Sequence, residues 1–241
     1  MPTPAPVEDL AKRYGLEAVS ESVRRLGELI SRPDATTEAI AKLVGKDKAF
    51  AARLLRAANP KAECEADYTA TTVEEALQRT GMGCVLLVAM HDPLLSAVQR
   101  TFQTMLGAEL KMPLAAMMSF EGEHILCEIT FTGKATGAAA LRLTTPTALQ
   151  IASRVLGMPA TDLDEPATID DVIGELSNMV VGNFKSNLCD AGLNCKLSSP
   201  AIMRTSDFKL RSVPGSLAER IGFHAPDLEL FVDLNVNPWG A

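Results

Sequence analysis

The hydrophobic period of this 241-residue chain changes once along its length. From about Val7 to Met90, apolar residues recur at three- and four-residue spacing in stretches such as AIAKLV, AFAARLLRAAN and VEEALQRTG, and no segment alternates. That spacing lays them along one stripe of a helix. Farther on, alternation takes over. HILCEITFTG and TGAAALRLTT read as paired strands joined through Gly133-Lys134, and LELFVDLNVN sets Leu228, Leu230, Val232, Leu234 and Val236 on one side of a strand. Two helical segments, TALQIASRVLG and DVIGELSNMVVGNFKSNL, lie between the strands. Strand pairs interleaved with helices predict an α+β domain rather than a doubly wound parallel sheet, behind an all-helical N-terminal region.

The punctuation of the helices places the boundary. Thr72 with Glu75 three residues on predicts a capping box, and Asn59-Pro60 closes the helix before it, because Pro60 disfavours helical geometry at Asn59. HDPLLSAVQRTFQTMLG then predicts a new helix with Asp92 as N-cap, Pro93 in the first position and Gly107 just past the end. A helical region over 1–91 and an α+β region over 92–241 follow. Before Asp92 stand 12 basic and 13 acidic side chains, and from it onward 11 and 17, net −1 and −6, so the acidic excess belongs to the second region.

Composition excludes several classes of function. A formal net charge of −7 without a dense Lys/Arg run gives no electrostatic footing for nucleic-acid binding. Five scattered cysteines without CxxC or zinc spacing fit reduced thiols and a cytoplasmic protein. No basic segment followed by an apolar one opens the chain, and the longest uninterrupted apolar run, Cys84 to Met90, is too short for a bilayer, so no membrane association is expected. Gly81-Met82-Gly83 lacks the third glycine of a dinucleotide loop, Gly45-Lys46 lacks the earlier glycine of a phosphate loop, and no GxSxG occurs. His91-Asp92 spells the dipeptide of metal-dependent HD phosphohydrolases, but only His124 and His224 remain in the chain. His91 is therefore expected at the surface of a domain junction, with no metal site.

DVIGELSNMVVGNFKSNL carries the chemistry. At about 100° per residue, Val172, Ile173, Leu176, Val180, Phe184 and Leu188 fall in one broad arc. Asp171, Glu175, Asn178, Gly182 and Lys185 crowd the opposite side, with Gly174 and Ser186 flanking. Each glycine costs the helix about 1 kcal/mol relative to alanine. Gly174 and Gly182 either let another part of the domain pack closely or serve a partner. Thr168 as N-cap would make Asp171 a capping-box carboxylate. Asn183 and Asn187 project toward the apolar side, where they are expected to satisfy backbone groups or a neighbouring loop.

This helix resembles the signature of the CheX/CheC/FliY family of chemotaxis phosphatases, D/S-x3-E-x2-N followed some twenty residues later by proline. The positions read Asp171, Glu175, Asn178 and Pro200, with 21 residues between the last two. AVQRTFQTMLGAEL resembles the family's first helix, ITFTGKATGAAALRLTTPTALQIASRVLG its hairpin and second helix, and ELSNMVVGNFKSNL its third, so the likeness covers about residues 92–238. A single copy of the motif favours CheX over the two-copy CheC pattern. LISRPDATTEAIAKLVGKDKAFAARLLRAANP and TTVEEALQRTGMGCVLLVAM resemble the opening helices of an HDOD domain. They depart from that pattern at Asp47-Lys48 and Asn59-Pro60, and the region is less than half the usual length. That second likeness implies contacts or regulation, and a helical extension packed on the following domain is the equal alternative.

Members of the CheX family remove the phosphoryl group from the aspartyl phosphate of response-regulator receivers such as CheY. The resemblance implies that Asn178 holds the attacking water and Glu175 pairs with the receiver lysine. Asp171, Gly174, Gly182, Lys185 and Pro200 would lie in the partner-binding surface, where the bare glycines admit the partner's loops. It further implies no cofactor bound by this chain, Mg²⁺ held by the receiver, and a homodimer formed through the sheets, with the final strand as the edge. The competing expectation is a non-catalytic signalling adaptor that binds a receiver or another partner without hydrolysis.

Overall fold

The computed structural model describes residues 19–59, 69–112, 122–163, 165–207, 209–210 and 216–237; Pro60 and Cys64 lie outside them. Three helices come first: α1 (Glu21–Ile30), α2 (Thr37–Gly45) and α3 (Lys48–Ala58). Each begins where a short polar side chain satisfies backbone N–H groups that the first turn leaves without partners. Ser20 accepts from Val23, Thr36 from Ala39, and Asp47 from Ala49 and Phe50.

Helix α4 (Val73–Leu106) starts at the expected Thr72/Glu75 capping box and ends at Gly107 in the left-handed conformation, φ 61°. It does not restart at Asp92. The interruption sits at Gly81, φ 70° and ψ −177°, a backbone state that needs a residue without Cβ, and the helix then runs unbroken through residues 91 and 92. Asp92 caps nothing; its carboxylate accepts from Arg53 of α3 at 2.5 and 2.8 Å. Pro93 therefore lies inside a helix, at a cost of about 3 kcal/mol, which burial of the following apolar stripe offsets: Leu94, Val98 and Phe102 are fully buried. Although α4 is long and apolar enough to cross a bilayer, most of that stretch is covered by protein, packed against α3 and, farther on, against the sheet.

Two strands form the expected hairpin, β1 (His124–Gly133) and β2 (Thr136–Thr144), antiparallel with Phe131 opposite Gly137. Helix α5 (Thr145–Leu156) and helix α6 (Pro166–Asp190) follow, then β3 (Cys195–Leu197), β4 (Ala201–Thr205), β5 (Leu217–Ala225) and β6 (Leu228–Asn237). The sheet runs β3-β1-β2-β6-β5, all antiparallel, with β4 pairing the other half of β1 on the same side as β3. Cross-strand partners put Ile125, Leu141 and Val232 on one face, against which α4, α5 and α6 pack.

The final strand is not an edge. β6 is held on both sides, by β2 and by β5, and the residues alternating with its apolar row, Phe231, Asp233 and Asn235, are buried too. Asp233 accepts from two guanidinium groups: Arg142, which is 1% exposed, and Arg220. Buried charges of this kind persist when paired and hydrogen-bonded. Strand β5 escapes the alternation rule because Glu219 stands among its helix-facing residues. His91 of α4 donates to that carboxylate at 3.0 Å, so His91 is half-buried at a strand rather than free at a surface.

The N-terminal helices are seated directly on the end of α6. Gly27 of α1 faces the Ala191 carbonyl so closely that a Cβ would lie 1.8 Å from its oxygen. Beside it, Lys134 of the β1–β2 turn donates to the Ser31 hydroxyl at 2.9 Å. Gly27→Ala is therefore expected to cost about 1–3 kcal/mol by overpacking, read as a lower urea midpoint; an unchanged midpoint would show that α1 does not sit on Ala191. At the α3 cap, the Phe50 backbone N–H holds the Asp47 carboxyl below its usual range. That folded-state value is depressed, so the stabilisation is full at neutral pH and disappears as pH falls through it. Asp47→Ala should cost about 1 kcal/mol at pH 7, and the difference from wild type should shrink on acidification.

Candidate functional site

Helix α6 begins two residues before Thr168, at Pro166, whose fixed φ suits a first helical position; the flanking Glu165 makes no side-chain cap. Thr168 is thus inside the first turn, and Asp171 is not a capping-box carboxylate but an exposed residue one turn farther on. The first turns are tied down from the side instead. Arg204 of β4 donates to Asp170 at 2.6 Å, a pair that sequence reading missed because its members lie 34 positions apart with no local signal.

The underside of α6 is buried as its periodicity predicts. Ile173, Leu176, Val180, Phe184 and Leu188 belong to the core, and the Phe184 ring meets Phe131 of β1 edge-on, with centroids 5.8 Å apart. Ser177, also buried, returns its hydroxyl proton to the Ile173 carbonyl at 2.8 Å, leaving no unpaired donor beneath the helix. Asn183 donates to the Thr101 hydroxyl at 3.0 Å and Asn187 to the Pro93 carbonyl at 2.9 Å. Asn187 thus meets a backbone group, as expected, and Asn183 a side-chain hydroxyl, both on α4.

The opposite side forms a ridge. Asp171, Glu175 and Asn178 are exposed, and Gly182 and Lys185 continue the line half-buried. Spacings of three and four residues make successive members neighbours, with Cβ atoms about 5–6 Å apart. Among the described residues neither Glu175 nor Asn178 has a hydrogen-bonding or ionic partner, so carboxylate and carboxamide stand side by side facing outward. A Cβ at Gly182 would meet nothing within 4 Å, so the ridge is bare there without any packing need. Gly174 differs from the expectation. It is buried on the flank turned toward β4, where a Cβ would lie 3.6 Å from Ile202 Cδ1, so it is not part of the exposed ridge. Pro200 is half-buried in the β3–β4 connection, which Ser198 pins to β1 through the Thr130 N–H at 3.0 Å.

Other candidate chemistry is already engaged. His91 and Asp92 are taken up by Glu219 and Arg53, and among the described residues no group of three or more His, Cys, Asp or Glu is placed to hold a metal ion. Cys84, Cys127 and Cys195 are free and buried, and burial pushes their thiols up, away from the reactive thiolate.

Comparison with known proteins bears on the same elements. The profile of the family described as chemotaxis phosphatase CheX matches residues 125–224, and that of the HDOD domain matches residues 16–119, through the end of α4. The CheY-P phosphatase CheX of Thermotoga maritima is 30% identical over 124 residues, covering 50% of this chain and 79% of the relative. The crystal structure of a CheX chemotaxis protein from Desulfovibrio desulfuricans superposes with a TM-score of 0.52 at 19% identity, over 61% of this chain and 98% of that one. CheX from Vibrio vulnificus does so with a TM-score of 0.51 at 22% identity, over 60% and 97%. These two likenesses concern the fold alone. With a helical N-terminal region similar to an HDOD domain, the chain belongs to the CheX family.

Proposed function

We propose that this chain is a phosphatase that hydrolyses the aspartyl phosphate of a CheY-type response-regulator receiver. The observation that carries the reading is the pair Glu175 and Asn178, exposed, adjacent and without partners among the described residues, on an otherwise well-packed helix. The name of the Thermotoga maritima relative supports the same substrate class.

The chemistry asks little beyond placement. An aspartyl phosphate is an activated acyl phosphate, and its phosphoryl group passes through a loose transition state that needs an in-line water more than a strong base. A carboxamide suits that task, since it can accept from and donate to the water without titrating. Asn178 enters the receiver's pocket and holds the water. Its oxygen attacks phosphorus, the bond from phosphorus to the aspartyl oxygen breaks, and inorganic phosphate leaves a carboxylate behind. Glu175, three residues earlier on the ridge, pairs with the receiver's lysine and sets the register. Asp171, Lys185 and the half-buried Pro200 rim the contact, and the missing side chain at Gly182 lets the receiver's loops come down onto the helix. Mg²⁺ is expected in the receiver's own site.

Phosphorylated receivers incubated with the protein should lose phosphate faster than alone. Asn178→Ala should slow that loss about 10²-fold at saturating receiver, and Glu175→Ala should raise the half-saturating receiver concentration about tenfold or more by removing a charge-assisted contact. Equal decay with wild type and both variants would remove the assignment, and binding without accelerated decay would leave an adaptor. Gly182→Ala should raise unfolding free energy by about 0.5–1 kcal/mol, since the added methyl meets only solvent, while weakening receiver binding severalfold; a more stable variant that binds unchanged would separate Gly182 from the contact.

A further inference from the structure

We propose that Asn183 and Thr101 form a positioning pair that fixes the rotation of α6 and thereby aims Asn178, an inference that rests on the phosphatase reading of the ridge. Most of what holds α6 down is apolar, and dispersion and hydrophobic contacts carry little direction. Apolar contacts through Leu176, Val180 and Phe184 set the roll of the helix about its axis only loosely, and the Arg204–Asp170 pair holds its first turns, eight residues before Asn178. Side-chain ends stand about 5–6 Å from that axis, so a roll of about 20° carries the Asn178 carboxamide about 2 Å. A shift of about 1 Å in a reacting group is enough to cost about 10²-fold in rate.

The contact between Asn183 and Thr101 supplies direction at the middle of the helix, closer to Asn178 than the Arg204–Asp170 pair at its start. Thr101 is 1% exposed, and its only hydroxyl proton is committed to the Ala97 carbonyl at 2.8 Å. The hydroxyl can therefore only accept from across the helix interface, and it accepts from Asn183 Nδ2 at 3.0 Å. Both orientation and distance are specified: the amide end of Asn183 must face Thr101, and α6 cannot roll without breaking the bond. Asn187 repeats the arrangement one turn on, donating to the Pro93 carbonyl, which has no donor to offer in return. Asparagine costs a helix interior about 0.6 kcal/mol relative to alanine, and aliphatic residues at either position would fill the space. The carboxamides add orientation rather than apolar burial. Asn183 lies five residues from Asn178 on the same rigid helix, so fixing one fixes the other.

The double variant Thr101→Val, Asn183→Leu tests this, because it replaces both partners by apolar groups of similar shape and should leave stability nearly unchanged. In steady-state dephosphorylation of a phosphorylated receiver, the pair predicts a fall in kcat of about tenfold or more, with KM changed less than about threefold, at an unchanged urea midpoint. Thr101→Ser, which keeps the hydroxyl, should retain wild-type kcat. Should the double variant fold poorly, Thr101→Val alone removes the acceptor and carries the same expectation for kcat, at a urea midpoint lowered by the unpaired Asn183 amide. A folded variant with wild-type kcat would overturn the positioning role, as would a kcat loss in Thr101→Ser equal to that in Thr101→Val. A wild-type protein without activity would instead sink the phosphatase reading and this inference with it.

Discussion

Ile173, Leu176, Val180, Phe184 and Leu188 each expose 2% or less of their surface, and they press α6 onto the sheet and the neighbouring helices along its length. Burying five such side chains is worth about 10 kcal/mol, well above the roughly 4 kcal/mol that two glycines and three asparagines cost this helix in intrinsic propensity. The surplus lets the outward side be composed for something other than helix stability. Gly182 borders open space, and Glu175 and Asn178 have no partner among the described residues. The ridge is available to another protein because the side beneath it is secured.

The N-terminal helices join the rest of the chain through α4 and again at the far end of α6. α4 begins beside α3, bends at Gly81, and runs on to lie against α6, where its Pro93 carbonyl and Thr101 hydroxyl accept from Asn187 and Asn183. At the other contact, Gly27 brings the backbone of α1 against Ala191, just past the last turn of α6. Arg53 closes the arrangement by pairing with Asp92, the residue next to Pro93. The helix that carries the ridge is thus braced by residues from both parts of the chain.

Much of this was legible beforehand where the signal is local. Thr72/Glu75, Gly107, the β1–β2 hairpin and the two faces of α6 follow from spacing and from turn or cap chemistry within a few residues. The failures share another origin. Pro93 looked like a helix start, because the burial of Leu94, Val98 and Phe102 that offsets its cost is a property of the assembled core. Strand β5 was missed because Glu219 breaks its alternation, and the partner that makes a carboxylate tolerable there, His91, arrives from 128 positions away. β6 reads as an edge in the sequence because alternation says nothing about what lies beside a strand.

By itself, the sequence determined which residues share a ridge. Asp171, Glu175, Asn178, Gly182 and Lys185 must line up on any α-helix, since their alignment follows from the fixed rotation per residue. It did not determine what that ridge meets. Tertiary structure alone left Glu175 and Asn178 without partners among the described residues, hid Gly174 beneath Ile202, enclosed β6 between β2 and β5, and gave Asn183 its acceptor on α4. Each of those outcomes depends on surfaces contributed by segments distant along the chain, and no local dihedral preference encodes which of them will come into contact.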